Sequence, residues 1–393
     1  MIRRTISLEL QKRLNEPRGF MQILIGPRQT GKTTATQQAI ESLSLPYHYV
    51  SADDPLRASP EWLRSEWELA RLKQKASSSE FILVFDEIQK IDSWSNVVKQ
   101  YYDEDSFSNT PIKVVLTGSS SLLLMQGSSE SLMGRFELLH STQWSYSECV
   151  KAFDFSLEDY LFFGGYPGAA RFKNDIDRWR DYLRYSIVEP SISIDVANMA
   201  EIRKPALMRA LFELGTHYSG QELSFTKMLG QLHDAGNTVT LAHYLNLLGN
   251  AGLLSGLQKY ASTQIAKRKS SPRFMVHDSS FMTYMSEITP QTLIDDHVFR
   301  GHIVESAVGA YLLARSKQED FKVFWWREGT SEVDFILQKG DSVTAIEVKS
   351  GRPKKLGGYL DFLKKHPSAL GYTVGTPQVS IEDFLLGRYP LFK

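Results

Sequence analysis

The fold is decided at residues 21–34, which read MQILIGPRQTGKTT. Residues 21–25 form a short apolar run typical of a buried strand. The next eight, Gly26 to Thr33, fit the pattern G-x-x-x-x-G-K-[ST] at every fixed position. Residues 34–42 can continue as a helix. Strand, glycine loop and helix in this order are the context that the motif requires, so the sequence predicts a phosphate-binding loop in an α/β domain.

The residue types of this loop explain what it would bind. Glycines let backbone N–H groups turn toward phosphates, and the N-terminus of the following helix favours negative charge. Lys32 can reach the β- and γ-phosphates of ATP, and the Thr33 hydroxyl can ligate Mg²⁺. The alternative is a purely structural glycine turn. The predicted nucleotide-binding residues are Gly26, Pro27, Arg28, Gln29, Thr30, Gly31, Lys32, Thr33 and Thr34.

A second strand is predicted at residues 81–85, FILVF, a continuous apolar run typical of a parallel sheet. It ends in Asp86 and Glu87, at the edge where open α/β sheets bind ligands. Asp86 would hold Mg²⁺, and Glu87 would orient and activate the attacking water. The alternative is a strand followed by solvated acids.

A third strand, residues 113–116, ends in a polar turn. A side chain in this turn could lie between the two acids and the γ-phosphate. Thr117 or Ser119 could fill this role, and spacing does not choose between them. An ordinary polar turn is the alternative.

Together these three elements resemble the AAA+ ATPases, and most closely a bacterial and archaeal group with a winged-helix-like region and a restriction-endonuclease-like domain after the ATPase. The resemblance assigns Lys32 and Thr33 to Walker A, Asp86 and Glu87 to Walker B, and Thr117 or Ser119 to sensor 1. It makes Arg135, after Gly134, a candidate arginine finger for a neighbouring subunit. An intramolecular salt bridge is the alternative for Arg135. The AAA+ resemblance also implies a homo-oligomer, for example a hexamer. We place no sensor 2 arginine.

The sequence of the middle of the chain predicts mostly helices. Residues 161–168, LFFGGYPG, are similar to an element of the same group, and a packing turn or hinge is favoured over any chemistry. Residues 205–276 predict a winged helix, with a third helix capped by Thr238 and two wing strands. The wing carries Lys259, residues 267–269 (KRK) and Arg273, which suit contacts with DNA phosphates. A solvated loop or a protein-binding module is the alternative.

The last hundred residues resemble the PD-(D/E)xK nuclease core: an acid on a helix, an Asp on a strand, and Glu-x-Lys on the next strand. Here these are Glu305, Asp334, Glu347 and Lys349. Glu347 and Lys349, two residues apart, would face the same side of their strand. Asp334 and Glu347 would hold Mg²⁺ or Mn²⁺, with Glu305 completing the shell. Lys349 would orient the attacking water or stabilise the charge that develops on the phosphate. The alternatives are a cross-strand salt-bridge set and a nuclease fold that only binds DNA or assembles subunits.

Composition sets the outer bounds. Lys and Arg together number 45, as do Asp and Glu, so a wholly basic nucleic-acid binder is excluded although a local basic patch is not. The one cysteine, Cys149, excludes an intramolecular disulfide framework. No stretch approaches the length of a bilayer span, and the N-terminus lacks a signal-peptide core. We therefore expect a cytoplasmic protein without a membrane partner.

The sequence thus predicts an α/β protein of four parts: a P-loop AAA+ three-layer domain (1–150), a helical lid or linker (151–200), a winged-helix-like domain (201–290) and a C-terminal restriction-endonuclease-like α/β domain (291–393). The leading hypothesis is an ATPase that uses ATP and Mg²⁺ and acts on branched or recombining DNA, with a nuclease or nuclease-like domain. An ATP-driven switch and a remodeller of protein partners are the alternatives.

Overall fold

A computed structural model describes residues 2–54, 58–118, 132–196, 202–233, 236–261, 270–350 and 357–393. The chain forms two compact units, one made of residues up to 142 and the other of residues from 143 onward. None of the helices in these described ranges is long and apolar enough to cross a membrane.

The first unit is built on a parallel sheet. Its elements are α1 (Thr5–Asn15), β1 (Met21–Ile25), α2 (Lys32–Glu41), β2 (Tyr47–Ser51), α3 (Pro60–Ser77), β3 (Phe81–Asp86), α4 (Trp94–Phe107), β4 (Ile112–Gly118) and β5 (Phe136–His140). The strand order is β2-β3-β4-β1-β5, and all four pairings are parallel. The three predicted strands are therefore confirmed, and their C-terminal ends lie at one edge of the sheet.

Apolar side chains cover both faces of this sheet. One core packs Trp67 of α3 and Val98 of α4 against Phe85 of β3. The other packs Leu10 of α1 and Ala39 of α2 against Leu24 of β1. Strands buried on both faces explain the nearly continuous apolar runs in the sequence. The prediction of an α/β region with a parallel sheet between helical layers is confirmed.

The second unit begins with short helices. They are α5 (Tyr146–Phe153), α6 (Leu157–Phe163), α7 (Pro167–Ala170) and α8 (Ile176–Tyr182), followed by π-helical turns at Leu183–Val188 and Ser191–Val196. Then come α9 (Pro205–His217), α10 (Phe225–Gln231), α11 (Thr238–Asn250), β6 (Leu254–Lys259) and β7 (Arg273–Val276). The side chain of Asn237, and not that of the predicted Thr238, caps α11 by accepting from the Thr240 N–H.

The rest of the unit carries a mixed sheet. It comprises α12 (Ser280–Met285), α13 (Pro290–Asp295), α14 (His297–Glu319), β8 (Lys322–Glu328), β9 (Ser331–Lys339), β10 (Ser342–Val348), α15 (Gly357–Lys365), β11 (Leu370–Val374) and α16 (Ile381–Leu385). The strand order is β11-β10-β9-β8-β6-β7. The β6–β7 hairpin is antiparallel as predicted. It also joins β8 in parallel, through Gln258 and Lys259, so the sheet includes both the middle and the C-terminal regions.

One expectation for the hairpin is wrong. Arg273, predicted to face DNA phosphates, is only 4% exposed. Its side chain lies within hydrogen-bonding distance of three carboxylates in the interior of the unit. The reason is the position of β7, whose first residue is covered by the adjoining helix and sheet. The KRK stretch at residues 267–269 lies outside the described residues.

Candidate functional site

The glycine loop lies between β1 and α2. Gly31, the residue before α2, has a left-handed backbone with φ of 85°. A Cβ at Gly26 would lie 1.9 Å from the carbonyl oxygen of Ser141, so only glycine fits this close approach. The Lys32 ammonium donates to the carbonyl oxygens of Gly26 (3.1 Å) and Pro27 (2.8 Å), which places its charge inside the curve of the loop.

Asp86 is the centre of the polar network at the strand ends. Its Oδ2 accepts hydrogen bonds from the Thr33 hydroxyl (2.9 Å) and the Tyr49 hydroxyl (2.7 Å). Its Oδ1 accepts one from the Thr117 hydroxyl. Burial, together with the charge of Asp86, raises the pKa of Tyr49 well above its usual value, so Tyr49 acts as a donor. Three hydroxyls from α2, β2 and β4 thus hold one carboxylate.

Glu87 follows Asp86 with an unusual backbone. Its φ is 56°, in the left-handed region that few residues other than glycine adopt. Its carboxylate accepts a hydrogen bond from the Gln89 side chain at 2.7 Å, and its N–H donates to the Thr117 hydroxyl at 3.4 Å. The chain thus turns sharply after β3.

The donor set at this edge fits Mg²⁺-ATP. Thr33 and Asp86 offer oxygen ligands of the kind Mg²⁺ prefers, and their oxygens are already within 2.9 Å of each other. Lys32 supplies a positive charge beside the N-terminus of α2, where phosphates bind.

A second polar cluster lies in the other unit. We call Glu305 of α14, Glu332 and Asp334 of β9, and Glu347 of β10 the carboxylate cluster. Arg273 lies among them: its Nη1 donates to Glu332 (2.9 Å), and its Nη2 donates to Glu305 (2.5 Å) and Asp334 (3.2 Å). The three predicted acids are therefore in one region, together with a cation that the sequence analysis had placed elsewhere.

Two further contacts involve Asp334 and Glu347. Asp334 Oδ2 accepts from the Val348 N–H at 2.8 Å, and Lys349 donates to Glu347 Oε1. Glu347 Oε2 is buried and has no hydrogen-bond partner among the described residues. Burial raises the pKa values of Glu305 and Glu347. Burial opposes the charge on Arg273, but the neighbouring carboxylates outweigh it and raise its pKa.

The Arg273 guanidinium lies between two of the predicted metal ligands. Its Nη2 contacts one oxygen of Glu305 and one oxygen of Asp334. Within the described ranges, no group of three or more His, Cys, Asp or Glu side chains is arranged to hold a metal ion.

Comparison with known proteins bears on each region. Residues 19–150 match a family described as an AAA domain. These residues therefore carry an AAA-type domain. Residues 154–292 and 300–384 match two families described as domains of unknown function, DUF8612 and DUF4143. The prediction of an AAA-type domain is thus confirmed for the first third of the chain.

More distant similarities extend further along the chain. An uncharacterized protein of Methanocaldococcus jannaschii is 22% identical over 285 residues, which are 68% of this chain and 60% of the relative. The chain thus aligns with about three fifths of that relative's length.

Three solved structures are also similar. The Walker-type ATPase of Pyrococcus abyssi is 14% identical, with a TM-score of 0.49 over 72% of this chain and 95% of its own. The Thermotoga maritima RuvB Holliday junction branch migration motor is 18% identical, with a TM-score of 0.34 over 64% of this chain and 86% of its own. The Aeropyrum pernix Orc1 protein in complex with DNA is 12% identical, with a TM-score of 0.31 over 74% of this chain and 93% of its own. TM-scores below 0.5 establish no common function.

Within the AAA domain, the structure bears differently on the residues left open by sequence. Thr117 contacts Asp86, whereas Ser119, the other sensor 1 candidate, lies outside the described residues. Arg135 forms a two-pronged ion pair with Asp103 at 2.6 and 2.9 Å, which is the intramolecular alternative to an arginine finger.

Two residues of the first unit were missed by sequence reasoning. Tyr49 contacts Asp86 from β2, and no motif marks it. The buried Arg4, which precedes α1, donates to the Thr30 carbonyl (2.8 Å), the Ser141 hydroxyl (3.2 Å) and the Thr142 carbonyl (3.1 Å). The only signal for Arg4 was its position before an amphipathic helix, which does not reveal a contact with the loop.

Proposed function

We propose that this protein is an ATP-hydrolysing switch that acts on DNA, with a C-terminal domain that binds DNA but does not cleave it. The observation that carries the proposal is the Asp86 carboxylate, which receives the hydroxyls of Thr33 and Thr117 beside Lys32 and Glu87. This combination of groups suits phosphoryl transfer to water.

Each residue of the AAA domain would have a separate task. Bound Mg²⁺-ATP would supply the scissile bond and the metal charge that offsets charge on the leaving phosphates. Lys32 and the N–H groups at the start of α2 would hold the phosphates, while Thr33 and Asp86 would hold the metal. Glu87 would accept the proton of the attacking water. Thr117 would fix the Asp86 carboxylate, and the remaining loop residues would line the phosphates.

DNA is the proposed partner because of a groove between α11 and β6. This cavity of about 410 Å³ is lined by amide and hydroxyl side chains such as Asn246, Ser255 and Gln258, together with apolar side chains such as Phe225 and Leu245. Lys317 is the one charged side chain among the described residues that line it, and burial lowers its pKa to about 8. By sequence, residues 259–273 contain no acid and carry KRK at 267–269. An anionic ligand such as a backbone phosphate suits this chemistry.

The test of the partner is the salt dependence of DNA binding. Anisotropy titrations with labelled forked, four-way and linear DNA would compare wild type, Lys317→Met and the control Lys322→Met, whose side chain is exposed on β8. We expect Lys317→Met to weaken binding and to reduce the slope of log K against log salt by about 1, as for one lost phosphate contact. Absence of any DNA binding at low salt would contradict the proposal and favour a protein partner.

The test of the activity is ATP turnover with and without each DNA. DNA should raise turnover without being cut in the presence of Mg²⁺ or Mn²⁺. Cleavage that is lost in Glu347→Ala and kept in Glu87→Gln would instead assign nuclease chemistry to the C-terminal acids.

The assembly of subunits implied by the AAA resemblance is part of the proposal, and light scattering with and without ATP measures it.

A further inference from the structure

Arg273 is held on every side within the carboxylate cluster. Its Nε donates to the Gly220 carbonyl at 2.7 Å, and its terminal nitrogens donate to Glu332, Glu305 and Asp334. Its side chain is only 5% exposed. Four of the five N–H donors of the guanidinium therefore have acceptors.

The backbone around Arg273 is also fixed. Strand β7 pairs with β6, with Arg273 opposite Leu257, and a bridge joins Arg273 to Glu222 on its other side. Gly220 has φ of 78°, and a Cβ there would lie 2.9 Å from Glu305 Oε1. A glycine at this position lets the backbone carbonyl approach the guanidinium while leaving room for the acid. Arg273 is therefore fixed by its backbone pairing and its side-chain contacts, unlike a mobile arginine on the surface.

We propose that Arg273 is the resident cation of the carboxylate cluster and occupies the place at which these acids would otherwise bind a divalent metal. Its Nη2 lies between Glu305 and Asp334 and contacts one carboxylate oxygen of each. A dication added beside a buried guanidinium would be repelled strongly in an environment of low dielectric. The acids thus bind a divalent ion only when Arg273 is removed.

This role has a structural consequence. Arg273 belongs to the segment that matches DUF8612, whereas its carboxylate partners belong to the segment that matches DUF4143. The ion cluster therefore joins the two segments across one sheet. Removing only the cation leaves buried carboxylates without compensation, which is more costly than removing a whole buried pair.

Manganese binding to the full-length, nucleotide-free protein tests the proposal. Free Mn²⁺ is measured by electron paramagnetic resonance, in an Asp86→Asn background so that the ATP site does not contribute. We expect the parent to bind no Mn²⁺ through the cluster up to millimolar concentration. Arg273→Gln should bind about one Mn²⁺ per chain, and a further Asp334→Asn should abolish it. A matched control is Arg327→Gln, which removes a more exposed partner of Glu332 and should create no site.

Two results would overturn the proposal. One is Mn²⁺ binding by the parent that disappears in Asp334→Asn, because the acids would then hold a metal beside Arg273. The other is a folded Arg273→Gln protein, verified by circular dichroism, that binds none. The parent measurement needs no substitution at Arg273, so it decides the first point even where Arg273→Gln does not fold. Neither result depends on ATP hydrolysis or on DNA binding.

Discussion

At the scale of the residue, Asp86 shows what the sequence predicts and what it does not. The loop pattern and the strand-end rule led to Thr33 and Asp86, and to Thr117 or Ser119 without a choice between them, because motif spacing places these residues near one edge of a parallel sheet. Tyr49 escaped prediction, although it donates to the same carboxylate. Its contact depends on the register between β2 and β3, in which Tyr49 lies opposite Val84, and no local pattern encodes that register.

Tyr49→Phe tests whether this hydroxyl positions Asp86. One hydrogen bond to a charged group contributes about 1.5 kcal/mol, so we expect kcat/KM for Mg²⁺-ATP to fall on the order of tenfold. Steady-state ATP hydrolysis is the measurement. Tyr47→Phe, an exposed tyrosine on the same strand, is the matched control and should behave as wild type. Equal rates for both variants would exclude the positioning role.

Arg4→Met tests the support of the phosphate-binding loop. The substitution leaves the carbonyls of Thr30 and Thr142 without this buried donor, so we expect a loss of about 1–3 kcal/mol in the free energy of unfolding, together with weaker ATP binding. Urea unfolding and nucleotide titration measure the two effects. Arg3→Met is the control, since among the described residues Arg3 donates to Gln11 of α1 and to the Gln38 carbonyl of α2, both at the surface. An effect of Arg3→Met as large as that of Arg4→Met would refute the assignment.

At the scale of the element, the glycine turn after α6 has a structural explanation. Asp278 Oδ2 accepts from the Gly165 N–H at 2.8 Å, and a Cβ at Gly164 would lie 1.8 Å from Asp278 Oδ1. A Cβ at Gly165 would lie 2.2 Å from the Trp144 carbonyl oxygen. Both glycines are therefore required by close packing. Sequence analysis favoured a packing turn or hinge but could not name its partner, which lies more than a hundred residues away.

Asp278 also gives the unit a pH dependence. Burial raises its pKa from 3.8 to about 6. Since the folded-state pKa is the higher one, the folded chain binds more protons between these values, and Asp278 costs stability as the pH rises through this window. Relative to Asp278→Asn, wild type should lose about 3 kcal/mol between about pH 3.5 and pH 7. Urea unfolding of both proteins over this range measures it, and a constant difference would contradict the expectation.

At the scale of the whole molecule, the sequence predicts the elements better than their assembly. In the C-terminal region, β11, α15 and α16 were not predicted, whereas the helix that carries Glu305 and the strands that carry Asp334 and Glu347 were. The pairing of β6 with β8 was not, because it rests on only two residue pairs between strands far apart in the chain. For the same reason Arg273 was misjudged: a basic run suggests exposure, whereas the acids that bury it come from other strands and a later helix.

Fragments of the chain test this assembly. Residues 143–393 contain the whole mixed sheet and should fold with a cooperative thermal transition. Residues 291–393 lack β6, β7 and Arg273, so three carboxylates lose their cation and β8 loses a neighbour. We expect this shorter fragment to show no cooperative transition by near-ultraviolet circular dichroism. A well-folded 291–393 fragment would show that the sheet does not depend on the hairpin.

ATP turnover by wild type, Lys32→Ala and Glu87→Gln is the most direct test of the central claim, that the loop and the strand-end acids form one hydrolytic site. We predict Mg²⁺-dependent hydrolysis by wild type, loss of both binding and hydrolysis in Lys32→Ala, and retained binding with hydrolysis reduced at least a hundredfold in Glu87→Gln, on the order of a general base's contribution. Turnover by Lys32→Ala equal to that of wild type would contradict the account.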